Sequence, residues 1–467
     1  MIKILPHEKI DVLSKYKKVL EETDVIKFTG KVERIVGLTI EAVGPSVKYG
    51  DLCRIKLSKG EYLLAEVVGF NRNRVILMPI GEMAGVVPGA EVYAAGAALT
   101  VPVGPELLGR VISGVGTPLD GKGDIFTKER YPVDGHPINP LSRTLIDTPL
   151  SVGIRSIDGM ITVGRGQRIG IFSGSGVGKS TVIAMISRYT DADVNVIALI
   201  GERGREVKDF VDKELGPDGL KRSVVVVATS NQPPMLRLRG GFLAHAIAEY
   251  FRDQGMAVNL MMDSITRFAM AQREVGLAAG EPAATRGYPP SVFTLMPRLM
   301  ERAGTSNSGG SITGFYSVLV EGDDMNEPIA DAARGILDGH IVLQRKLANR
   351  GHYPAVDVLS SISRCMKDIV TPEHMKAAIR FRELLAAYED VEDLINLNAY
   401  ARGANPTADR AIEMRNEMIS FLKQGIYEED TFDSIVGRLK DMFAEKKAAP
   451  AAGSFMTPPP AFARVIR

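Results

Sequence analysis

The spacing of apolar residues changes twice along the chain, near residue 100 and near residue 371. From residue 25 to residue 100, apolar residues occur in short, β-branched runs that Gly and Pro separate. Runs of this length at regular intervals are typical of strands in a small β-barrel. The runs that we predict to be strands are 31–38, 52–57, 63–70, 74–78 and 91–93. The sequence therefore predicts an N-terminal small β-barrel domain over residues 25–100.

Between residue 169 and about residue 370, apolar runs of strand length alternate with helical stretches, within a domain that we expect to span residues 101–370. One such helix is predicted over residues 241–254, where apolar residues recur at four-residue spacing. Alternation of strands and helices predicts an α/β domain, in which a parallel sheet carries helices on both faces. The turn-rich segment 108–121 is expected to be a linker into this domain.

The two ends of the chain have different patterns. Residues 1–24 predict a helical segment with one apolar face, which either docks on the body of the protein or binds a partner. Residues 371–447 predict a helical domain, since Thr371-Pro372 and Asn405-Pro406 are both good helix starts. Residues 448–467 contain several prolines and are expected to form a flexible tail.

Composition narrows the functional classes. The 467 residues include 57 basic and 56 acidic ones, for a net charge of +1. A chain with balanced charge has no general affinity for polyanions, and the predicted barrel offers few aromatic platforms, so we expect no nucleic-acid partner. Two distant cysteines without metal or redox spacing fit a reducing compartment. The start of the chain is too interrupted for a secretory signal, which predicts a cytoplasmic protein.

A glycine-rich turn at residues 173–180 follows a predicted strand and precedes a predicted helix. Strand, glycine-rich turn and helix are the context of a phosphate-binding loop, whose backbone N–H groups surround an anion. In this loop Lys179 would reach the β- and γ-phosphates, and Ser180 would take a place on Mg²⁺. Ser173 stands where the usual motif has its first glycine, so we expect Gly174 to provide the bend. The predicted nucleotide contacts are Ser173, Gly174, Ser175, Gly176, Val177, Gly178, Lys179, Ser180 and Thr181.

Acidic residues follow two other predicted strands of the same domain. Asp263 ends an apolar run and is the candidate Mg²⁺ partner, while Glu202 and Glu206 are alternative candidates for directing the attacking water. Arg203 and Arg267 are candidates for stabilising charge on the γ-phosphate. An arginine finger is expected as well, but the residues alone do not locate it. The acidic run 321–324 is expected to be a solvated loop.

Residues 108–364 resemble a catalytic subunit of the rotary-ATPase family, and most of all the flagellar and type III secretion export ATPases. The resemblance rests on segments 354–363 (PAVDVLSSIS), 201–206 (GERGRE) and 288–293 (YPPSVF), with 297–299 and 301–304. It implies an α/β fold with a RecA-like P-loop ATPase core, an N-terminal small β-barrel and a C-terminal helical domain.

The resemblance also implies roles for single residues. Glu202 would be the catalytic carboxylate, with Arg203 beside the γ-phosphate, and Lys179 would take part in catalysis. Asp263 would be the acid that holds Mg²⁺, partly through water. Further implied roles are nucleotide contact by Arg267, adenine packing by Tyr353 and an arginine finger, Arg364, that acts on the neighbouring subunit. The implied cofactors are ATP/ADP and Mg²⁺.

Glu202 and Arg364 on one chain would serve six identical interfaces, which favours a homohexamer. The implied function is ATP hydrolysis that releases chaperone-bound cargo and promotes its entry into a membrane export gate. Implied partners are a stator-like regulator, a coiled-coil stalk protein, the gate and chaperone–cargo complexes, with the ring peripheral at the membrane. The C-terminal residues favour the flagellar over the injectisome type. The alternatives are a rotary synthase subunit, an RNA-translocating hexamer and a purely structural nucleotide-binding subunit.

Overall fold

The computed structural model describes residues 29–58, 60–96 and 98–444, so the predicted helical segment 1–24 and the predicted tail 448–467 lie outside it. The described chain begins with a closed barrel of six strands in the order β1-β2-β5-β4-β3-β6. Its strands are β1 Thr29–Val36, β2 Thr39–Val43, β3 Leu52–Lys56, β4 Tyr62–Asn71, β5 Arg74–Pro79 and β6 Glu91–Ala94. Alternate residues point inward, and Ile40, Ile55 and Leu77 are fully buried.

The predicted barrel is confirmed, but one strand was missed. The run 31–38 is not one strand, because Gly37 has a φ of 57° and turns the chain between β1 and β2. The strand β2 that follows pairs with both β1 and β5. A two-residue hairpin turn of this kind interrupts the apolar pattern too briefly to be recognised.

A nine-stranded sheet forms the centre of the protein. Its order is β19-β18-β12-β17-β15-β13-β14-β8, with β16 paired to β17. All pairs are parallel except β18 with β19 and β16 with β17. Its strands are β8 Arg110–Ser113, β12 Arg168–Ser173, β13 Val194–Ile200, β14 Ser223–Ala228, β15 Ala257–Asp263, β16 Gly304–Thr305, β17 Ser311–Leu319, β18 Gly339–Leu343 and β19 Val356–Ser363. Two small sheets pair β7 Thr100–Val103 with β9 Glu129–Pro132, and β10 Pro149–Leu150 with β11 Val163–Gly164.

The segment 108–121 is not only a linker, which corrects the expectation from sequence. It contains β8, which pairs in parallel with β14 and forms one edge of the main sheet. Four residues between turns carry too little periodicity to be recognised as a strand, and only the partner strand gives them that role.

Helices cover both faces of the sheet and continue beyond it. They are α1 Arg155–Asp158, α2 Lys179–Tyr189, α3 Gly204–Asp209, α4 Gly216–Lys221, α5 Pro234–Asp253, α6 Ile265–Ala278, α7 Pro290–Met300, α8 Pro328–Ile336, α9 Arg345–Asn349, α10 Met366–Ile369, α11 Pro372–Asn396, α12 Pro406–Leu422 and α13 Phe432–Phe443. A π-helical turn, Phe210–Leu215, joins α3 to α4. Helix α5 begins at Pro234, seven residues earlier than predicted, and proline is favoured in the first turn of a helix.

Alternate residues of the central strands enter two different cores. In β13, Val196 and Ile200 pack with α5 and α6, whereas Ile197 and Leu199 pack with α2 on the other face. Because both faces are covered, all seven residues of β13 are buried. The second core continues into the C-terminal helices through Phe381 of α11.

The C-terminal helices form where the caps predicted them. The side chain of Thr371 accepts a hydrogen bond from the backbone N–H of His374, and that of Asn405 caps α12. Helix α11 contacts β19, and α12 and α13 contact α1. The helical domain is therefore attached to the edge of the sheet that carries β19.

Candidate active site

The glycine-rich turn lies between two strands that are not its neighbours in sequence. Strand β12 ends at Ser173 between β17 and β18, and the turn leads directly into α2. Gly176 and Gly178 have φ values of 75° and 92°, which glycine adopts without strain. The expectation that Gly174 provides the bend is wrong, because its φ is not in the left-handed region.

The turn fits an anion. The backbone N–H groups of Gly176, Gly178 and Lys179 donate no hydrogen bond to any group in the described part of the chain. Gly176 is exposed, and the start of α2 adds its positive dipole end. Uncommitted donors at a helix start are what the phosphates of a nucleotide require.

The acids predicted from separate strands meet at Lys179. The Lys179 Nζ donates to Oδ1 of Asp263, at the end of β15, and lies 3.6 Å from Oε1 of Glu202, just after β13. Their side chains are between 6% and 16% exposed, so the three charges interact with little screening. The carboxyl ends of neighbouring parallel strands thus place two acids and one lysine together.

Sequence reasoning missed one member of this cluster, Ser317. Ser317 lies on β17, the strand adjacent to β15, and its hydroxyl donates a hydrogen bond of 2.6 Å to Oδ1 of Asp263. The bond holds the carboxylate in one orientation. The only signal in the sequence is a serine in a strand that also contains Ser311 and Thr313, which by itself indicates no function.

The structure separates the two glutamates that spacing left equivalent. Glu206 lies on α3 with its side chain 51% exposed and 3.6 Å from Arg203, whereas Glu202 faces Lys179. Burial and the negative charge of Asp263 raise the pKa of Glu202 to about 7. A carboxylate that titrates near neutral pH suits a general base.

Magnesium is implied by the phosphate-binding loop, and the donors present fit it. Ser180 is exposed in the first turn of α2, directly after Lys179, and the Nζ of Lys179 contacts the carboxylate of Asp263. Hydroxyl and carboxylate oxygens are the ligands that Mg²⁺ accepts beside phosphate oxygens. Ser180 and Asp263 are therefore the residues that would hold the ion.

Two of the predicted arginines, Arg203 and Arg267, follow strands β13 and β15, and their surroundings differ. The aliphatic part of Arg267 packs over Gly201, where a Cβ would lie 2.7 Å from its Cβ, so Gly201 must lack a side chain. Its buried Nε has no hydrogen-bond partner among the described residues. The Arg203 side chain is 81% exposed and contacts only the edge of the site through Glu206.

Tyr353 lies beside the phosphate-binding loop. Its ring atoms are 3.8 Å from the position that a Cβ on Gly178 would occupy, and the residue is 48% exposed. Its carbonyl accepts a hydrogen bond from the backbone N–H of Gln424, in the loop after α12. A half-exposed ring next to the loop can stack on a base.

Arg364 lies at the other end of the sheet from the loop of its own chain. Ser173 is in register with Leu343, and Leu343 with Val356, so β19 begins near the loop. Strand β19 then runs away for eight residues, roughly 25 Å, and Arg364 follows it, exposed. The structure thus brings together Lys179, Glu202 and Asp263 and leaves Arg364 apart.

Fold and site together define a P-loop nucleoside triphosphatase with a RecA-like core. Residues 153–363 match the family described as "ATP synthase alpha/beta family, nucleotide-binding domain", and residues 32–96 its "beta-barrel domain". Residues 370–441 match the "T3SS EscN ATPase C-terminal domain".

Individual relatives agree with these matches. The chain is 56% identical to a flagellum-specific ATP synthase of Bacillus subtilis, covering 91% of this chain and 97% of the relative. It is 50% identical to a type 3 secretion system ATPase of Sinorhizobium fredii, covering 89% and 92%.

Solved structures of assembled EscN from the enteropathogenic E. coli type III secretion system are also similar. One is 44% identical, with a TM-score of 0.84 and coverage of 88% of this chain and 99% of that chain. Another, in complex with its central stalk EscO, is 43% identical with a TM-score of 0.82. The chain belongs to the flagellar and type III secretion ATPases of the ATP synthase alpha/beta family, and it is an ATP hydrolase. No helix among the described residues has both the length and the apolar character to span a membrane.

Proposed function

We propose that this protein is the ATPase of a bacterial flagellar protein export apparatus. It hydrolyses ATP as a homohexameric ring, releases chaperone-bound cargo and promotes its entry into the export gate at the membrane. The flagellar assignment is supported by the B. subtilis relative, and assembly into a ring with a stalk protein is supported by the structures of assembled EscN and of its complex with the central stalk EscO. We propose that the stalk protein of this ring is a coiled coil. An injectisome ATPase is the second candidate, supported by the S. fredii relative. Within this proposal, residues 25–100, 101–370 and 371–447 are the domains, and a stator-like regulator binds residues 1–24.

The site residues of one chain would bind the nucleotide and activate water. The N–H groups of the loop and Lys179 donate to the phosphates, with Ser180 and Asp263 holding Mg²⁺ partly through water. When bound there, Mg²⁺ would supply positive charge beside the β- and γ-phosphates. Glu202 accepts the proton of the attacking water at its carboxylate, and Lys179, 3.6 Å away, stabilises the charged form of that carboxylate before phosphate arrives.

The position of Arg364 is the observation that supports a site shared between two neighbouring copies of the chain. At roughly 25 Å from the loop of its own chain, it cannot reach the phosphates that this loop binds. It is exposed at the end of an edge strand, where a neighbouring copy can receive it. Repeating one such heterologous contact closes a ring, in which each copy gives Arg364 to the next. Arg203, Arg267 and Tyr353 would complete the γ-phosphate and adenine contacts from the loop side.

Mixing two inactive variants tests this arrangement. In an equal mixture of Glu202→Gln and Arg364→Ala chains, about a quarter of the interfaces in random rings combine an intact Glu202 with an intact Arg364. We therefore expect the ATPase rate to recover to about a quarter of the wild-type rate.

A matched mixture of Glu202→Gln and Lys179→Ala chains provides the control. Glu202 and Lys179 contact each other within one chain. Every chain in this mixture lacks one of the two residues, so no interface contains both. This mixture should stay at background. Equal rates for the two mixtures would show that the sites are not shared in this way.

Complementation tests the flagellar assignment. Expression of the chain in a B. subtilis strain that lacks its flagellum-specific relative should restore swimming, and expression of the Glu202→Gln chain should not. Secretion of injectisome substrates without any swimming, in strains that lack the respective ATPases, would favour the second candidate.

A further inference from the structure

The acidic run 321–324 was expected from the sequence to be a solvated loop, but in the structure it also contacts the phosphate-binding loop. It follows β17 and forms a short turn, Glu321–Asp323, in which Asp323 has a φ of 59°. This left-handed conformation is uncommon for residues other than glycine, although Asp tolerates it better than most. The turn brings the Asp323 carboxylate to the start of the phosphate-binding loop.

Arg345, the first residue of α9, contacts the same part of the loop. Its Nη1 donates to the backbone carbonyl of Ser175 at 3.0 Å, and its Nε lies 3.5 Å from Oδ2 of Asp323. The two side chains are 46% and 54% exposed, so the ion pair alone contributes little to stability. Its position against the loop is what makes it relevant to the site.

The pair occupies the space where a side chain on Gly174 would lie. A Cβ on Gly174 would be 2.5 Å from Oδ1 of Asp323 and 2.6 Å from Nη2 of Arg345. Because the φ of Gly174 is not left-handed, the absence of a side chain serves this close approach and not a turn.

The bond to Ser175 also fixes the direction of a donor. In a trans peptide the carbonyl and the next N–H point in opposite directions. Holding the carbonyl of Ser175 toward Arg345 therefore turns the N–H of Gly176 away from Arg345. That N–H is one of the donors that no described residue uses.

We infer that Asp323 and Arg345 form a brace that orients the phosphate-binding loop, with Arg345 as a positioning residue for nucleotide binding. Asp323 holds the guanidinium, the guanidinium holds the Ser175 carbonyl, and the Gly176 N–H is aimed at the phosphate before the nucleotide arrives. The inference rests on the proposed nucleotide site, but it is tested by ADP binding, which does not require hydrolysis or export.

The first test compares the dissociation constant of a fluorescent methylanthraniloyl-ADP, with Mg²⁺, between wild type and Arg345→Ala. We expect binding to weaken about 3- to 10-fold and KM for ATP to rise in parallel, because a preorganised donor is lost. The kcat should change less than twofold, since Arg345 makes no contact with the reacting groups. Arg345→Lys should also weaken ADP binding, because Arg345 contacts the carbonyl and the carboxylate through two separate nitrogens, Nη1 and Nε, and a lysine has one nitrogen on a side chain without the planar guanidinium.

Arg410→Ala is the matched control. Arg410 forms an ion pair with Glu413 at 3.2 Å and similar exposure within α12 of the C-terminal helical domain, so its loss should leave ADP binding unchanged. Unchanged ADP affinity in Arg345→Ala would overturn the inference. If that variant fails to fold, Asp323→Asn, which keeps the shape and the backbone preference of Asp323, gives the same comparison.

A mutant cycle with Gly174→Ala distinguishes a brace from general damage. Alone, this substitution should weaken ADP binding, because the new Cβ displaces the pair. In a chain that already carries Asp323→Gly and Arg345→Ala, the same substitution should have almost no further effect. Additive effects would show that Gly174 and the pair act separately, and the inference would fail. A wild-type chain that binds ADP but does not hydrolyse ATP would contradict the proposed function and leave this inference standing.

Discussion

Replacing Glu202 with Gln keeps the shape of the side chain and removes its charge beside Lys179. If Glu202 is the general base, the loss should be about 10²- to 10⁴-fold in kcat, or roughly 3–5 kcal/mol of transition-state stabilisation. Nucleotide binding should persist, since Lys179 and the loop donors remain.

The pKa of Glu202 adds a second observable. Burial and the charge of Asp263 raise this pKa to about 7, and the base must be deprotonated to act. About a tenth of the wild-type molecules carry the active form at pH 6 and about nine tenths at pH 8, so kcat/KM should rise about tenfold over this range. Glu202→Gln should abolish this rise along with the activity.

The same pKa affects stability. The folded-state value lies above the ordinary value of 4.5, so between pH 4.5 and 7 the folded protein binds this proton more strongly than the unfolded chain does. Ionising Glu202 therefore lowers the free energy of unfolding as pH rises through this window. Glu202→Gln should unfold at a higher temperature than wild type at pH 8, and this advantage should be smaller at pH 4.5.

The assay is steady-state ATPase activity from pH 6 to 8 with thermal unfolding in the same buffers. Glu206→Gln is the matched control. It should retain activity within twofold at pH 8, because Glu206 is half exposed and pairs with Arg203, and it should lower the Glu202 pKa, because its contact helps to raise that pKa. A Glu202→Gln chain that keeps more than a tenth of the wild-type rate would refute the assignment of the base. So would a flat profile of wild-type kcat/KM.

Two further predictions concern adenine packing and the junction between barrel and sheet. Tyr353→Ala should raise KM for ATP about tenfold, since base stacking on an aromatic ring contributes about 1–3 kcal/mol. The KM of Tyr353→Phe should stay within twofold of the wild-type value. Equal KM values for wild type and Tyr353→Ala would exclude stacking. Arg239 on α5 is buried and donates to Glu66 of β4 and, at 2.7 Å, to Asp134. Arg239→Ala should lower the free energy of unfolding in urea by about 3–5 kcal/mol, because it leaves the Glu66 carboxylate buried without its partner. The exposed Arg380, paired with Glu383, provides a control whose loss should cost less than about 1 kcal/mol, and similar values for the two variants would contradict the argument.

Local signals were sufficient for part of the site. Residues 173–180 predict a phosphate-binding loop, because the strand before the loop, the glycines within it and the helix after it are adjacent in the chain. Asp263 was identifiable for a similar reason, as an acid at the end of an apolar strand. The helix caps at Thr371 and Asn405 are also local, and both helices begin there.

By itself, the sequence determined the order of barrel, α/β core and helical domain, and most of the chemistry at the loop, because these depend on patterns within about twenty consecutive residues. The tertiary structure alone decided that Ser317 holds Asp263, that Asp323 and Arg345 lie against Gly174, and that Arg364 is far from its own loop. These arrangements depend on strand order and register, which bring together residues from 20 to more than 100 positions apart in the chain. The sequence around a polar residue does not indicate which distant residue it will contact.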